Sequence, residues 1–369
     1  MHRPYYATMQ RVHLSYSLSP DATGPMHNPL MHLLDAVHQN GSISAAARAL
    51  NLSYRHVWGE LKRWEAHLQQ PLIVWERGQH AKLSALGEKL LWAERQARAR
   101  LAPQIATLQA DLERAFAVAF DPGVHVLTLY ASHDAALVAL REHAAQHAHL
   151  HLDIRFCGSV DALRALNEGR CAVAGFHVRR HSSPHSLSLR TYRALLKPRR
   201  HVLISFAQRT QGLIVAPGNP LQLNGLQDIA QRKARFVNRA TGCGTRLLLD
   251  ELLTEAGIQP GAIQGYDCCE NSHSAVAQAV ASGSADAGFG IEAAARACGL
   301  DFIALTSEDY YLACLPSVLE QPPVTALRQT LLRAPWQQLL LQLPGYLPPE
   351  VGSATGALYE VSPLHPHKP

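Results

Sequence analysis

Between residues 28 and 68 apolar residues recur at helical spacing. Leu30, Leu33, Leu34 and Val37 fall at i, i+3, i+4 and i+7, one face of a helix that Gly41 ends. Ser42 or Ser44 can cap a short second helix through AAARALN. Ser53 can cap a third, in which Val57, Leu61, Trp64 and Leu68 share a face. Two strand-like runs, LIVWE and AKLS, then flank RGQH, the pattern of a hairpin or wing. From Ser84 a long helix is expected towards Phe116. Its stripe of Leu101, Ile105, Leu108, Leu112 and Phe116 suits a partner helix, and Pro103 should kink or break it. Before all of this, residues 1–25 are irregular apart from a strand-like VHLSYSL.

Past DPG at 121–123 the period changes. HVLTLYAS, HLDIRFCGS and CAVAGFHV read as strands alternating with the helices DAALVALREHAAQHA and VDALRALNEGR. After a basic connector the theme returns: strands ARFVNR, AIQGYD and ADAGFG, with helices GTRLLLDELLTEAG, SHSAVAQAVASG and IEAAARACG. Two βαβαβ sets predict two α/β lobes with mostly parallel sheets and a ligand cleft beyond the strands' carboxyl ends. The expected fold class is thus an all-α/winged helix N-terminal domain followed by an α/β two-lobed domain. Its expected divisions are a winged helix-turn-helix at 1–84, a linker and dimerisation helix at 85–121, and a two-lobed effector domain at 122–350. Lobe A takes about 122–205 and 306–350, lobe B about 206–305, and 351–369 form a flexible tail.

Composition narrows the class. The chain has 369 residues, 47% hydrophobic and 17% charged, enough for two or three domains. It has no run of 18 apolar residues and no signal-like N-terminus, so a cytoplasmic protein without membrane contact is expected. Seven cysteines, an odd and irregularly spaced set, argue against a disulfide framework and a structural zinc site. The net charge of +5 is uneven: residues 1–120 hold 13 Lys and Arg against 9 Asp and Glu. A polyanionic partner is therefore expected at the N-terminal third, although a solvated helix surface would give the same charge.

That partner is expected to be double-stranded DNA at a pseudo-palindromic operator. Ala45, Ala46 and Ala47 are small where two helices of a helix-turn-helix meet. Ser53, Tyr54, Arg55 and His56 occupy the first turn of the reading helix. Arg55 is the best base reader, because its fork takes guanine O6 and N7 together. Lys62 and Arg63, with Arg77, His80 and Lys82 on the wing, would serve phosphates, and Ser42 and Ser44 lie at the start of the preceding helix.

In the second domain the candidate effector residues lie where strands give way to helices: Ser132 and His133, then Ser159, then Thr241, Gly242, Cys243, Gly244, Thr245 and Arg246, and finally Glu270, Ser272 and His273. Helix N-termini with small hydroxyl residues favour an anion. Arg246 either meets that anion or pairs with Asp250 at i,i+4. Carboxylates at Asp134 and Glu270 suit a fully ionised oxyanion poorly. They favour a ligand with donors, such as a pterin or an amino acid; a molybdenum-cofactor-related pterin or a small carboxylate such as formate is the alternative effector. A thiol or metal sensor is a further alternative, through Cys243 or through Cys268, Cys269 and His273. No general base pairs with Cys243 in sequence, so no catalysis is expected and no covalent cofactor. The histidines of HAAQHAHLH are expected at the surface.

The stretch GSISAAARALNLSYRHVWGELKRWEAHL resembles the winged helix-turn-helix of the molybdate-responsive ModE regulators, and more distantly that of LysR-type regulators. The likeness covers about residues 10–118 and implies DNA binding and a homodimer or higher homo-oligomer. The small β-rich molybdate domains of ModE regulators are not seen here. Residues 122–350 instead resemble the type II periplasmic-binding-protein fold, carried by FVNRATGCGTRLLLDELL and AVASGSADAGFGIEAAAR. TGCGT is similar to the GSGT-type loop of tungstate and molybdate binding proteins. The resemblance therefore implies a regulator whose effector is molybdate or tungstate.

Overall fold

The computed structural model describes residues 29–75, 81–120, 123–180, 186–349 and 358–360. The expected strand near the N-terminus lies outside these residues, as do Arg77 and His80 of the wing. The chain divides into two compact units at Arg95/Gln96.

The first unit holds α1 (Pro29–Asn40), α2 (Ile43–Ala49) and α3 (Tyr54–Leu68), then β1 (Ile73–Trp75) paired antiparallel with β2 (Ala81–Leu83). Ser42 is the residue that caps α2, accepting from the Ala45 amide at 3.1 Å, and Ser53 caps α3 through the His56 amide. Leu30, Leu33, Leu34 and Val37 meet Ala46, Ala47, Val57 and Leu61 in one core. Glu65 fastens the β1 end to α3. Its carboxylate accepts from the Leu72 and Ile73 amides at 2.8 and 3.0 Å and from Lys62. Burial would raise its pKa, but those bonds outweigh it and hold the carboxyl below its usual value. A carboxyl with a lowered folded pKa contributes stability above its unfolded pKa and loses it as pH falls through the folded one. Glu65→Ala should cost ~1–3 kcal/mol at neutral pH by stranding two amides, with the deficit shrinking under acid. Chemical denaturation at pH 7 and at pH 3 would check both statements.

A single helix, α4 (Ala85–Phe120), begins in the first unit and ends in the second. Ser84 caps it, accepting from the Gly87 amide. Pro103 lies inside the helix without dividing it.

The second unit continues with β3 (His125–Ala131), α5 (Ala135–Ala148), β4 (Leu150–Phe156), α6 (Ser159–Asn167), β5 (Val173–Arg179), α7 (Leu187–Leu195) and β6 (Val202–Val215). Then come α8 (Leu226–Gln231), β7 (Phe236–Arg239), α9 (Gly244–Glu255), β8 (Cys269–Glu270), α10 (His273–Ala281), β9 (Ala287–Ile291), α11 (Glu292–Ala297) and β10 (Asp301–Cys314). The last are α12 (Pro322–Leu332), α13 (Ala334–Leu341), β11 (Tyr346–Leu347) and β12 (Leu358–Glu360). The strand order is β4-β3-β5-β10-β6-β9-β7-β8. Each end is parallel, as expected, but the centre is not. The 14-residue strands β6 and β10 pair antiparallel with each other. Through Glu308–Cys314 β10 joins β5, and through Gln211–Val215 β6 joins β9. Two crossing strands thus connect two α/β lobes, each with helices packed on parallel strands.

Several local expectations change. The connector after β5 holds α7, and the strand expected at AIQGYD comes later, at Cys269–Glu270. There Gly265 turns the chain at φ +89°, its α-carbon pressed on the Phe236 backbone, where a side chain would have no room. The histidines of HAAQHAHLH are not all at the surface. His143 and His151 are buried, the first stacked on His147 and near Trp336. Within the expected tail, Leu358–Glu360 pairs with Val202–Ile204 of β6.

Candidate functional site

In the first unit the opening turn of α3 is exposed. Tyr54, Arg55 and His56 face solvent beside Leu52, and Trp58 follows one turn on. The buried side of the same helix is Val57 and Leu61, so the exposed face is defined by what the core does not take. Lys62 lies over the Trp58 ring and pairs with Glu65, and Arg63 pairs with Glu60. Both heads are solvent-exposed, and intrahelical pairs of this kind contribute only about 0.3–0.5 kcal/mol, so a phosphate could take either cation. Lys82 is exposed on β2, Ser44 is exposed in α2, and Ser42 is spent on its cap.

In the second unit a cavity of about 440 Å³ opens between the lobes. Its walls come from the carboxyl ends of β3, β4, β7 and β8, where α/β sheets place ligands. Ser132 and His133 line it after β3; Phe156, Cys157 and Gly158 at and after β4; Arg239, Thr241 and Cys243 around the end of β7; Asn271 after β8. The lobes approach closely beside this cavity. A Cβ at Gly158 would lie 2.6 Å from the Gly242 carbonyl oxygen, so only glycine allows that approach.

Arg239 was not legible as a site residue in the sequence, and it is the cation of this cavity. It is buried, and its Nη1 donates to the Glu270 carbonyl at 3.3 Å while its Nε has no partner. Among the described residues no carboxylate forms an ion pair with it. Burial pushes its pKa down, Cys243 opposes this, and Arg209 adds to it. A buried cation in that state is stabilised by any anion that enters. A signal was present: an arginine ending a strand, just ahead of a TGCGT turn.

The two carboxylates that seemed to oppose an anion are already neutralised. Asp134 accepts from Arg209 Nη1 and from the Tyr346 hydroxyl, each at 2.7 Å, and caps α5. Glu270 accepts from Arg100 at 2.6 and 2.9 Å and from Gln96. Neither lines the cavity; the carboxylate that does, Asp161, pairs with Arg164 at 3.2 Å.

Other expected residues are placed differently. Arg246 turns away from the cavity: it pairs with Asp250 at 3.2 Å and stacks 3.9 Å over the Tyr266 ring. The i,i+4 alternative is the observed one. Ser159 is fully buried against Gly244 and Tyr192 rather than lining the cavity. Thr245 accepts from Gln211, and His273 lies behind it with Nε2 3.4 Å from the Thr245 hydroxyl. Burial first, then Arg239 and Arg209, hold His273 well below its ordinary pKa, so it is neutral. Ser272 caps α10. His133 packs on Phe156 with ring centroids 4.8 Å apart. Burial lowers its pKa and nearby Asp134 partly offsets this. Cys268 and Cys269 are exposed whereas His273 is buried, and the described residues contain no group of three or more metal-ligating side chains.

Comparison with known proteins fits this division. A family model described as the PBP superfamily domain matches residues 121–332, more than half of the chain. The chain belongs to the PBP superfamily. Ahead of that domain, residues 29–88 match the model described as bacterial regulatory helix-turn-helix protein, lysR family. A segment matching a regulatory helix-turn-helix thus precedes the two-lobed PBP domain. A relative from Bacillus subtilis (strain 168), the uncharacterized protein YvgK, is 30% identical over 197 residues. That alignment takes in 52% of this chain and 61% of YvgK, so the chain spans about three-fifths of its relative's length. Among solved structures, a hydrogen-peroxide-bound OxyR mutant of Corynebacterium glutamicum is 15% identical with a TM-score of 0.42, covering 82% of this chain and 90% of its own. LysG of the same organism with bound effector Arg is 19% identical with a TM-score of 0.38, covering 82% and 98%. No helix of the described residues is long and apolar enough to cross a membrane.

Proposed function

We propose that this PBP-superfamily protein is a cytoplasmic, one-component transcriptional regulator that binds double-stranded DNA through α3 and a small anion through Arg239. The observation that carries the effector half is the buried guanidinium of Arg239, without a carboxylate partner, in the wall of a cavity between two lobes. The DNA half rests on the exposed first turn of α3 and on the match of residues 29–88 to a regulatory helix-turn-helix. A homodimer is supported by α4, whose Leu101, Leu108, Phe116 and Val118 are exposed. The protein reads its operator with both copies.

Two anion classes follow. Molybdate or tungstate is favoured by the likeness of TGCGT to an oxyanion loop. A tetrahedral oxyanion fills the space of a few waters of about 30 Å³ each, however, a fraction of this cavity. The apolar Phe156 and Pro103 in its walls favour a larger organic anion, such as a molybdenum-cofactor-related pterin. A thermal-shift screen against molybdate, tungstate, phosphate, formate and a pterin separates them, because a ligand of the folded state raises the melting temperature by mass action. A cleft that responds to none of these anions refutes the effector half.

For the DNA half, Arg55→Ala should weaken binding about 10- to 100-fold on a site that the wild-type protein has selected from random DNA. Non-specific binding and the melting temperature should hardly change, since Arg55 is exposed. Fluorescence anisotropy at fixed salt measures this. Equal affinity for the selected site would remove Arg55 as the reader.

A further inference from the structure

We infer that the Gln96–Arg114 stretch of α4 is itself a wall of the effector cavity and a strap across its mouth, so that a ligand enters and leaves only when this stretch lifts. The inference rests on reading the cleft as the ligand site. Three α4 residues, Pro103, Gln104 and Thr107, line the cavity together with residues of both lobes. The helix is fastened on both sides of that position. Towards the β7–β8 lobe, Arg100 and Gln96 hold Glu270. Towards the β3–β4 lobe, Arg114 pairs with Asp153 at 3.0 Å, Arg155 with Asp111 at 3.1 Å, and Arg141 donates to the Ala106 carbonyl at 3.2 Å.

Pro103 favours one further fastening. It has no N–H, so the Ala99 carbonyl, four residues earlier, lacks its helical donor. The Ser272 hydroxyl supplies one, donating to Ala99 O at 2.9 Å while its oxygen caps α10. The notch that a proline leaves in a helix is thus the receptor for a side chain of the opposing lobe.

The same short segment touches the ligand side. Glu270 gives its carboxylate to Arg100 and its backbone carbonyl to Arg239, and Asn271, between it and Ser272, lines the cavity. An anion that draws the Arg239 guanidinium towards itself competes with the Glu270 carbonyl, and residues 270–272 hold the strap. Occupancy and strap position are then linked, by as much as the ligand's affinity differs between strapped and lifted states. Because α4 continues towards the helix-turn-helix, the effector is sensed at the helix that joins the two units.

The test needs no effector. Cys243 lines the cavity and is buried, so its alkylation by iodoacetamide, followed by peptide mass spectrometry in the full-length protein, reports opening. Cys171 and Cys314, buried in the lobe cores, serve as controls for unfolding. Arg100→Ala should speed Cys243 labelling about tenfold, the effect of one lost charge-assisted bond. Pro103→Ala should speed it as well, since the restored helical N–H competes with Ser272 for the Ala99 carbonyl and the added helical hydrogen closes the notch that admits the hydroxyl. It should also leave the melting temperature equal or higher, because alanine is the better helix residue. An unchanged Cys243 rate in Pro103→Ala, with the controls silent, overturns the strap, even if Arg100→Ala unfolds. An effector screen that finds no ligand would instead overturn the reading of the cleft.

Discussion

Arg209→Met should lower the melting temperature of the full-length protein by on the order of 10 °C, equivalent to ~3–5 kcal/mol. Arg209 lies in β6 where that strand crosses between lobes, and it is almost wholly buried. Its guanidinium donates through Nη1 to Asp134 at 2.7 Å and through Nε to Glu308 at 2.8 Å. Burial opposes its charge, but Glu308 and Asp134 outweigh that and raise its pKa. Glu308 belongs to β10 and also accepts from Gln211, so one cation joins both crossing strands to the N-terminus of α5. Methionine fills similar volume but strands two buried carboxylates. A buried ion pair is weak evidence of net stabilisation, yet removing one partner is costly because the other charge stays behind. The triple variant Arg209→Met with Asp134→Asn and Glu308→Gln should therefore recover part of the loss. Thermal melts of the three proteins test this, and a single variant that melts within a degree or two of wild type would mean that the carboxylates find other partners.

That network shows where sequence reading stops. The first unit was legible because its signals are local: Ser42 and Ser53 cap the helices they precede, and the face of Val57 and Leu61 is a matter of spacing. Asp134, Arg209 and Glu308 are separated by 75 and 99 residues. Nothing within a helix turn of any of them announces the others. The crossing strands escaped for a related reason. Their centres, QRTQ in β6 and TSED in β10, are polar, so neither reads as a strand, and their polarity is explained only by the charges met across the sheet. Arg246 misled in the opposite way. It sits in the first turn of α9, where an anion would be welcome, but Asp250 and the Tyr266 ring, 20 residues on, take it first. The strand-end loops expected to hold a ligand do line a cavity, and the cation in its wall is Arg239. Its role depends on being buried without a carboxylate, which no spacing reveals.

Arg239→Gln should weaken effector binding by at least about thirtyfold, the lower end of the ~2–5 kcal/mol lost when one partner of a buried charge pair is truncated. The same change should not destabilise the ligand-free protein, and that asymmetry separates a binding residue from a structural one. The Arg239 Nε is unsatisfied, and the guanidinium meets the Glu270 carbonyl at 3.3 Å and the Cys243 thiol rather than a carboxylate. Burial disfavours its charge. Replacing it by a neutral amide removes a desolvation cost and can keep the bond to Glu270, so the melting temperature without ligand should be equal or higher. Function would then be the reason for retaining a locally unfavourable cation, the usual trade at a preorganised site. Arg209→Met offers the contrast, since there the cation has two carboxylates and its loss should hurt with or without ligand. The measurement is a thermal melt of Arg239→Gln with and without whichever anion shifts the wild type. A variant that melts lower when empty yet binds normally would make Arg239 structural and move the anion elsewhere in the cleft. A variant that melts as well or better when empty, and no longer responds to the anion, places the anion on Arg239.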